Sequence, residues 1–258
     1  MPDRVDSTRW VDSHCHLQLA GGDEHIERAR AAGVEWMVCV GTDLETSHAA
    51  LTFADRHPDV YAAAGLHPHD ASKLSAEWGM LEPLAVSDAC IAIGECGFDF
   101  YYEHSPRDEQ ETAFRFQVRM ANHAGKPLVV HSRDAWDDTF RVLDDEGVPD
   151  RTILHCFTGG PDEAAAAFAR GCFVSFSGIV SFKNADAVRE AARLAPADRI
   201  LVETDSPFLT PEPHRGRPNE PALVAAVGAA LARARGVDTE EIAELTRVNA
   251  VRAFGVDR

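Results

Sequence analysis

A single closed (β/α)8 barrel is the fold the sequence predicts, and three observations predict it. The chain has 258 residues, against about 250 for such a barrel. Eight short apolar runs alternate with longer Ala-, Glu- and Arg-rich segments of helical spacing. No break in composition divides the chain, so residues 1–258 read as one α/β domain with a parallel sheet. An open, doubly wound sheet is the structural alternative.

The apolar runs fall at residues 10–14, 36–40, 60–66, 90–94, 127–130, 152–154, 172–175 and 200–202. Helical spacing covers 24–32, 46–56, 74–86, 107–124, 136–145, 161–170 and 184–194, with a final helical region at 220–235 and 239–254. Residues 207–221 hold five prolines and two arginines and follow the eighth strand. They read as a structured loop above the barrel. No Gly-x-Gly-x-x-Gly or P-loop sequence follows an early strand, so a nucleotide-cofactor fold lacks its anchor.

Composition excludes several classes. Apolar residues make up 45% and charged residues 26%, which excludes a disordered tail, a collagen-like repeat and a coiled coil. No apolar stretch approaches the roughly 20 residues of a membrane span, and residues 1–10 carry no secretory h-region. A cytoplasmic protein with no membrane partner is expected. Acidic residues number 42 against 25 basic ones, a net charge of −17, and only three of the basic residues are lysines. Such a surface suits solubility in concentrated salt, as in a halophile, and offers nucleic acid no general electrostatic grip. The six cysteines form no C-x-x-C pair and sit mostly in apolar runs, so buried free thiols are expected.

The residues that end the strands carry the chemistry. Strand one ends in Asp12-Ser13-His14-Cys15-His16, strand three in Gly65-Leu66-His67-Pro68-His69 and strand four in Gly94-Glu95-Cys96-Gly97. Strands five and six end in His131 and His155, and strand eight runs into Glu203-Thr204-Asp205. Barrel enzymes keep their chemistry at the carboxyl rim, and imidazoles with carboxylates converging there suit a divalent metal. Alternation puts His14 and His16 on one face and Cys15 on the other; Cys96 and Cys156 should likewise turn outward. By the same parity Ile91, Ile93 and Glu95 share a face, as do Val129 with His131 and Ile153 with His155. Glu203 then lies one layer below Asp205, where it needs a partner. Singly, a His-x-His pair, a strand-end histidine or an N-capping aspartate is ordinary; six such residues at five strand ends are not. His25, His48, His57, His104 and His123 read as solvated, and Arg233 and Arg235 as an exposed helix end.

In these segments the sequence resembles the TatD family of metal-dependent hydrolases, within the amidohydrolase-like barrels. His131-Ser132-Arg133, His155-Cys156-Phe157-Thr158-Gly159, Glu203-Thr204-Asp205-Ser206-Pro207, the run from Arg215 to Pro221, and Asn249-Ala250 extend the resemblance to most of the chain, from about Val11 to Phe254. The resemblance implies a distorted (β/α)8 TIM-type barrel with two divalent metal ions, Mg2+, Mn2+ or Zn2+. It implies that His14, His16, Glu95 and Asp205 bind one ion and that Glu95 bridges to a second on His131 and His155. Phe98 stands where many members have leucine, and Pro218 where many have a basic residue.

The implied activity is that of a deoxyribonuclease hydrolysing phosphodiester bonds, of the 3'-5' exonuclease type, on DNA or another nucleic-acid ester. Asp205, Glu203 and His67 are the expected catalytic residues, with Asp205 orienting the attacking water or taking its proton. Arg133, Arg215 and Arg217 are the expected substrate contacts. D-aminoacyl-tRNA deacylation at the same site is the enzymatic alternative, and a non-catalytic metal-binding scaffold the alternative of another class. A monomer is expected.

Overall fold

The computed structural model describes residues 8–257. Eight parallel strands follow one another in sequence order around the sheet. They are β1 (Trp10–Cys15), β2 (Val34–Val40), β3 (Val60–Ala64), β4 (Cys90–Asp99), β5 (Leu128–Arg133), β6 (Thr152–Leu154), β7 (Phe173–Phe176) and β8 (Ile200–Val202). Helices return the chain between them, and the barrel reading holds over the open-sheet alternative. Helices Leu74–Val86, Arg107–Ala124 and Thr239–Phe254 keep their expected bounds. Elsewhere helix ends move by one or two residues, in one case because a capping side chain rather than periodicity sets the end. Asp43 illustrates this: its carboxylate accepts from Thr46 N at 2.9 Å, starting the helix at Leu44. At residues 220–235 a short 3-10 turn, Pro221–Leu223, precedes the helix Val224–Arg235.

Apolar packing forms two layers. Val11, Val38, Ala63, Ala92, Val129, Ile153 and Leu201 belong to one cluster, which the rings of Trp36 and Phe254 share. Helix Thr239–Phe254 thereby floors the barrel. The second, larger cluster lies between the strands and the helices.

Two strands depart from simple alternation. Ile93 packs in the larger cluster with the helices, while Ala92 packs in the smaller one, so the expected common face of Ile91, Ile93 and Glu95 is corrected. The β4–β5 register shifts between Ile93 and Cys96. Gly94, at φ +127°, takes the turn; a Cβ there would collide with the Val129 carbonyl. That irregularity brings Glu95 inward. On β1 the register against β2 shifts between Asp12 and Cys15, which lets Val11 and His14 share the interior.

The β1–β8 seam has no ladder of its own among the described residues; it closes above β8. His16 N donates to Ser206 O at 2.8 Å, and Asp205 N donates to His14 O at 2.9 Å. Below them the Asp12 carboxyl accepts from Thr204 N at 2.8 Å and Thr204 Oγ1 at 2.5 Å, and Ser13 Oγ donates to Val202 O. Burial pushes the Asp12 carboxyl up to about 8 against these bonds. Asn219 Nδ2 donates to Thr204 O, tying the proline-rich loop to the seam, and Asn249 Nδ2 donates to Ala197 O and Ile200 O at the base of β8.

Three surface expectations are corrected. Arg235 is half-buried and donates to Ala192 O and Ala195 O, capping the helix Asp186–Leu194. His25 packs near the Glu220 carboxylate and His57 against Asp23, each side chain only 15% exposed. Both acids come from segments distant in the chain, which local periodicity does not register.

Thr204→Val keeps the shape but leaves the Asp12 carboxyl short of a donor at the seam. A loss of about 1–3 kcal/mol in unfolding free energy is expected. Urea unfolding measures it, and a change under about 0.5 kcal/mol would contradict the seam's dependence on this pair.

Candidate metal centre

The strand ends converge on Glu95. Its Oε1 lies 2.7 Å from His155 Nε2, 2.9 Å from His131 Nδ1 and 3.3 Å from His67 Nε2. Its Oε2 lies 3.3 Å from His14 Nε2 and 3.8 Å from His16 Nε2. Asp205 Oδ1 is 3.4 Å from His16 Nε2 and 3.9 Å from His14 Nε2. His14, His16, Glu95, His155, Glu203 and Asp205 are all buried. Burial opposes ionisation of Glu95, but His155, His67 and the bonds from His131 and His14 hold it well below the usual carboxylate range.

The outer nitrogens fix what the inner ones can do. His16 Nδ1 donates to Val40 O at 2.8 Å, so Nε2 keeps its lone pair. His131 Nε2 faces Asp99 Oδ2 at 3.2 Å, and His155 Nδ1 faces Glu203 Oε1 at 3.2 Å. Each carboxylate accepts a hydrogen bond from the outer N–H, which keeps the proton there and leaves the inner nitrogen free to ligate. Inner nitrogens and carboxylate oxygens then face one another at contact distance. His14 Nε2 meets His16 Nε2 at 3.3 Å, and His131 Nδ1 meets His155 Nε2 at 3.3 Å. Such a group is stable only with protons or cations between its members. Burial lowers His155, yet Glu95 and Glu203 hold its proton well above the ordinary range. Buried His14 Nδ1 and Glu203 Oε2 have no hydrogen-bond partner. His14, His16 and Asp205 place ligand atoms within 4.8 Å of one another, as do His14, His155 and Glu203, and also His67, Glu95 and His131. The donor set fits divalent ions.

His67 stands apart in that last group. Its Nδ1 accepts from His69 N at 3.1 Å, so Nε2 carries the proton and cannot ligate as neutral imidazole. Burial lowers its pKa to about 4, so the ring stays neutral near pH 7.

The sequence reading assigned no role to several residues here. Asp99 Oδ2 serves both His131 and His69, the latter at 3.0 Å, while Oδ1 accepts from Tyr101 N and Tyr102 N. Burial works against its charge, but these bonds hold it below the normal range. Strand parity could have found Asp99, since it lies on Glu95's strand four residues on. His104, expected to be merely solvated, stacks on Tyr102 and meets His69 edge-on.

A cavity of about 730 Å³ opens onto the cluster, lined by His16, His67, Glu95, His131, His155 and Asp205. Arg133, Tyr101, Tyr102 and Phe208 stand at its rim. Arg215 and Arg217 are not among its lining residues; Arg215 lies over the Phe182 ring and donates to Thr210 O. Cys15 and Cys96 are buried and turned from the cluster, donating to Val38 O and Val129 O. Cys156 is a correction. At φ +44° its backbone leaves the strand conformation, and the residue lines the cavity beside Ser177 Oγ rather than packing against the helices.

A barrel with this rim defines a metal-dependent hydrolase. Residues 11–255 match the TatD related DNase family, and the chain belongs to that family. It is 39% identical over 252 residues to the uncharacterized metal-dependent hydrolase YabD of Bacillus subtilis, covering 95% of this chain and 99% of that one. It is 39% identical to the 3'-5' ssDNA/RNA exonuclease TatD of Erwinia tasmaniensis, over 91% and 93% of the two chains. The structure of the TatD homologue YJJV from Escherichia coli superposes with a TM-score of 0.88 at 26% identity, covering 97% of this chain and 99% of that one.

Adding a divalent ion to chelator-stripped protein should raise the unfolding midpoint, because an ion that binds only the folded state stabilises it. Asp99→Asn should require about 10–100-fold more ion for the same rise, since His131 loses its orienting carboxylate. Thermal unfolding across an ion titration measures both. Coincident titrations for the two proteins would contradict the role given to Asp99.

Proposed function

We propose that the protein is a two-metal exonuclease that hydrolyses phosphodiester bonds at the 3' end of DNA. The observation that carries the reading is the convergence of five imidazoles on the Glu95 carboxylate at the floor of an open cavity. The family match and the exonuclease relative supply the class of substrate. His14, His16, Glu95 and Asp205 would hold one ion, and Glu95, His131 and His155 a second. When bound, Mg2+, Mn2+ or Zn2+ would polarise the phosphoryl oxygen and acidify a water.

The chain's own residues do the rest. Asp205 lines the cavity, and although burial opposes its charge, His16 and His155 keep it ionised, so its carboxylate can take the proton of the attacking water. Glu203 Oε1 accepts from Cys156 N at 2.7 Å and holds His155 in its ligating orientation. His67, neutral and protonated at Nε2, serves as a hydrogen-bond donor to a phosphoryl oxygen. Arg133 contacts the substrate strand at the rim. We place Arg215 and Arg217 on the outer path of the strand. The chain acts as one domain and as a monomer, since a single chain supplies every ligand. Six free cysteines and the absence, among the described residues, of a helix long and apolar enough to cross a membrane support a cytoplasmic setting.

Metal-reconstituted protein should hydrolyse a chromogenic phosphodiester and shorten DNA from its 3' end. Hydrolysis of D-aminoacyl-tRNA with neither of these would replace the reading. Asp205→Asn should fold normally and lower the turnover rate by at least about a hundredfold. Near-normal turnover with ions bound would move the proton to another acceptor.

A further inference from the structure

The rim carries features that hydrolysis at the cavity floor does not use. Tyr101, Tyr102 and Phe208 are 59%, 51% and 52% exposed, though each lines the cavity. The Arg133 guanidinium lies 4.0 Å from the centre of the Tyr101 ring and 4.9 Å from that of Tyr102. Twelve other arginines among the described residues sit within 4 Å of a carboxylate. Arg133 has no such partner there. In so acidic a chain, an arginine shelved on aromatic rings and kept free of acids is poised for an outside group.

The shelf is also tied to the reaction centre. Tyr101 N and Tyr102 N donate to Asp99 Oδ1 at 3.0 and 2.8 Å, and the other oxygen of Asp99 faces His131. Across the mouth, Phe208 follows β8, four strands from β4 in a ring of eight, and its ring meets His16 edge-on at 6.1 Å. Two aromatic lips therefore face one opening.

Resting on the exonuclease reading, we infer that these lips form a base-binding slot. The 3'-terminal base of a single strand lies against Arg133 and the Tyr101–Tyr102 shelf on one side and Phe208 on the other, while its phosphodiester reaches the floor. Aromatic and guanidinium faces accept any base, so recognition is indifferent to sequence. A paired terminal base keeps its faces covered and must first leave its stack, so duplex ends enter less readily.

The test pairs a change in substrate with a change in protein. An oligonucleotide carrying 2-aminopurine at its 3' end, bound to full-length protein holding a catalytically silent ion, should lose fluorescence by stacking. Tyr101→Ala with Phe208→Ala should abolish the quenching, and Tyr101→Phe should retain it. With an active ion, removing the terminal base should lower kcat/KM about tenfold or more for the unsubstituted protein, and far less for the double alanine variant. Equal loss in both proteins would overturn the slot and leave the lips to a protein partner. Hydrolysis without quenching overturns the slot alone; quenching without hydrolysis upholds it and overturns the exonuclease reading. Melting curves confirm that these exposed substitutions leave the fold intact.

Discussion

Five imidazoles around one buried carboxylate are a costly arrangement, and much of the fold serves to hold it. Apolar packing alone would not gather His14, His16, His67, His131 and His155 at Glu95, because each brings a polar ring against a buried carboxylate. Carboxylates and a carbonyl behind the rings offset that cost. Asp99 stands behind His131, Glu203 behind His155 and the Val40 carbonyl behind His16. The outer shell thus decides which nitrogen faces inward, and so which chemistry the centre can host.

Backbone irregularity is the second requirement. A regular β4 would send Glu95 and Ala92 to opposite faces, since they are three residues apart. The shift at Gly94 brings both inward. Asp205 at φ +54° and Cys156 at φ +44° mark similar departures beyond β8 and β6. The rim is assembled where the strands stop being regular, which is where barrel chemistry gathers.

Most of the architecture was legible because alternation and helical spacing are strong local signals. The eight strands and the inward histidines of β5 and β6 follow from parity. What escaped the sequence depended on irregularity or on long-range pairing. The face of Ile93 and the outlook of Cys156 needed a bulge and a positive φ that parity does not contain. Asp99 shares Glu95's face of β4, but its pairing with His131 joins two strands and shows only in space. Arg235 sat in a helical pattern whose partners lie some 40 residues away.

The seam between the first and last strands has a further meaning. Every other strand pair shares a backbone ladder, whereas β1 meets the segment after β8 through a few bonds around Asp12, His14 and Ser206. His14 and His16 lie on one side of that join and Asp205 on the other. A cation held by the three would act as a clasp, fastening parts of the chain about 190 residues apart where the cylinder is least stitched. Closing so long a loop is costly in chain entropy, and the clasp would bear part of that cost. The reactive centre would then double as the buckle of the barrel.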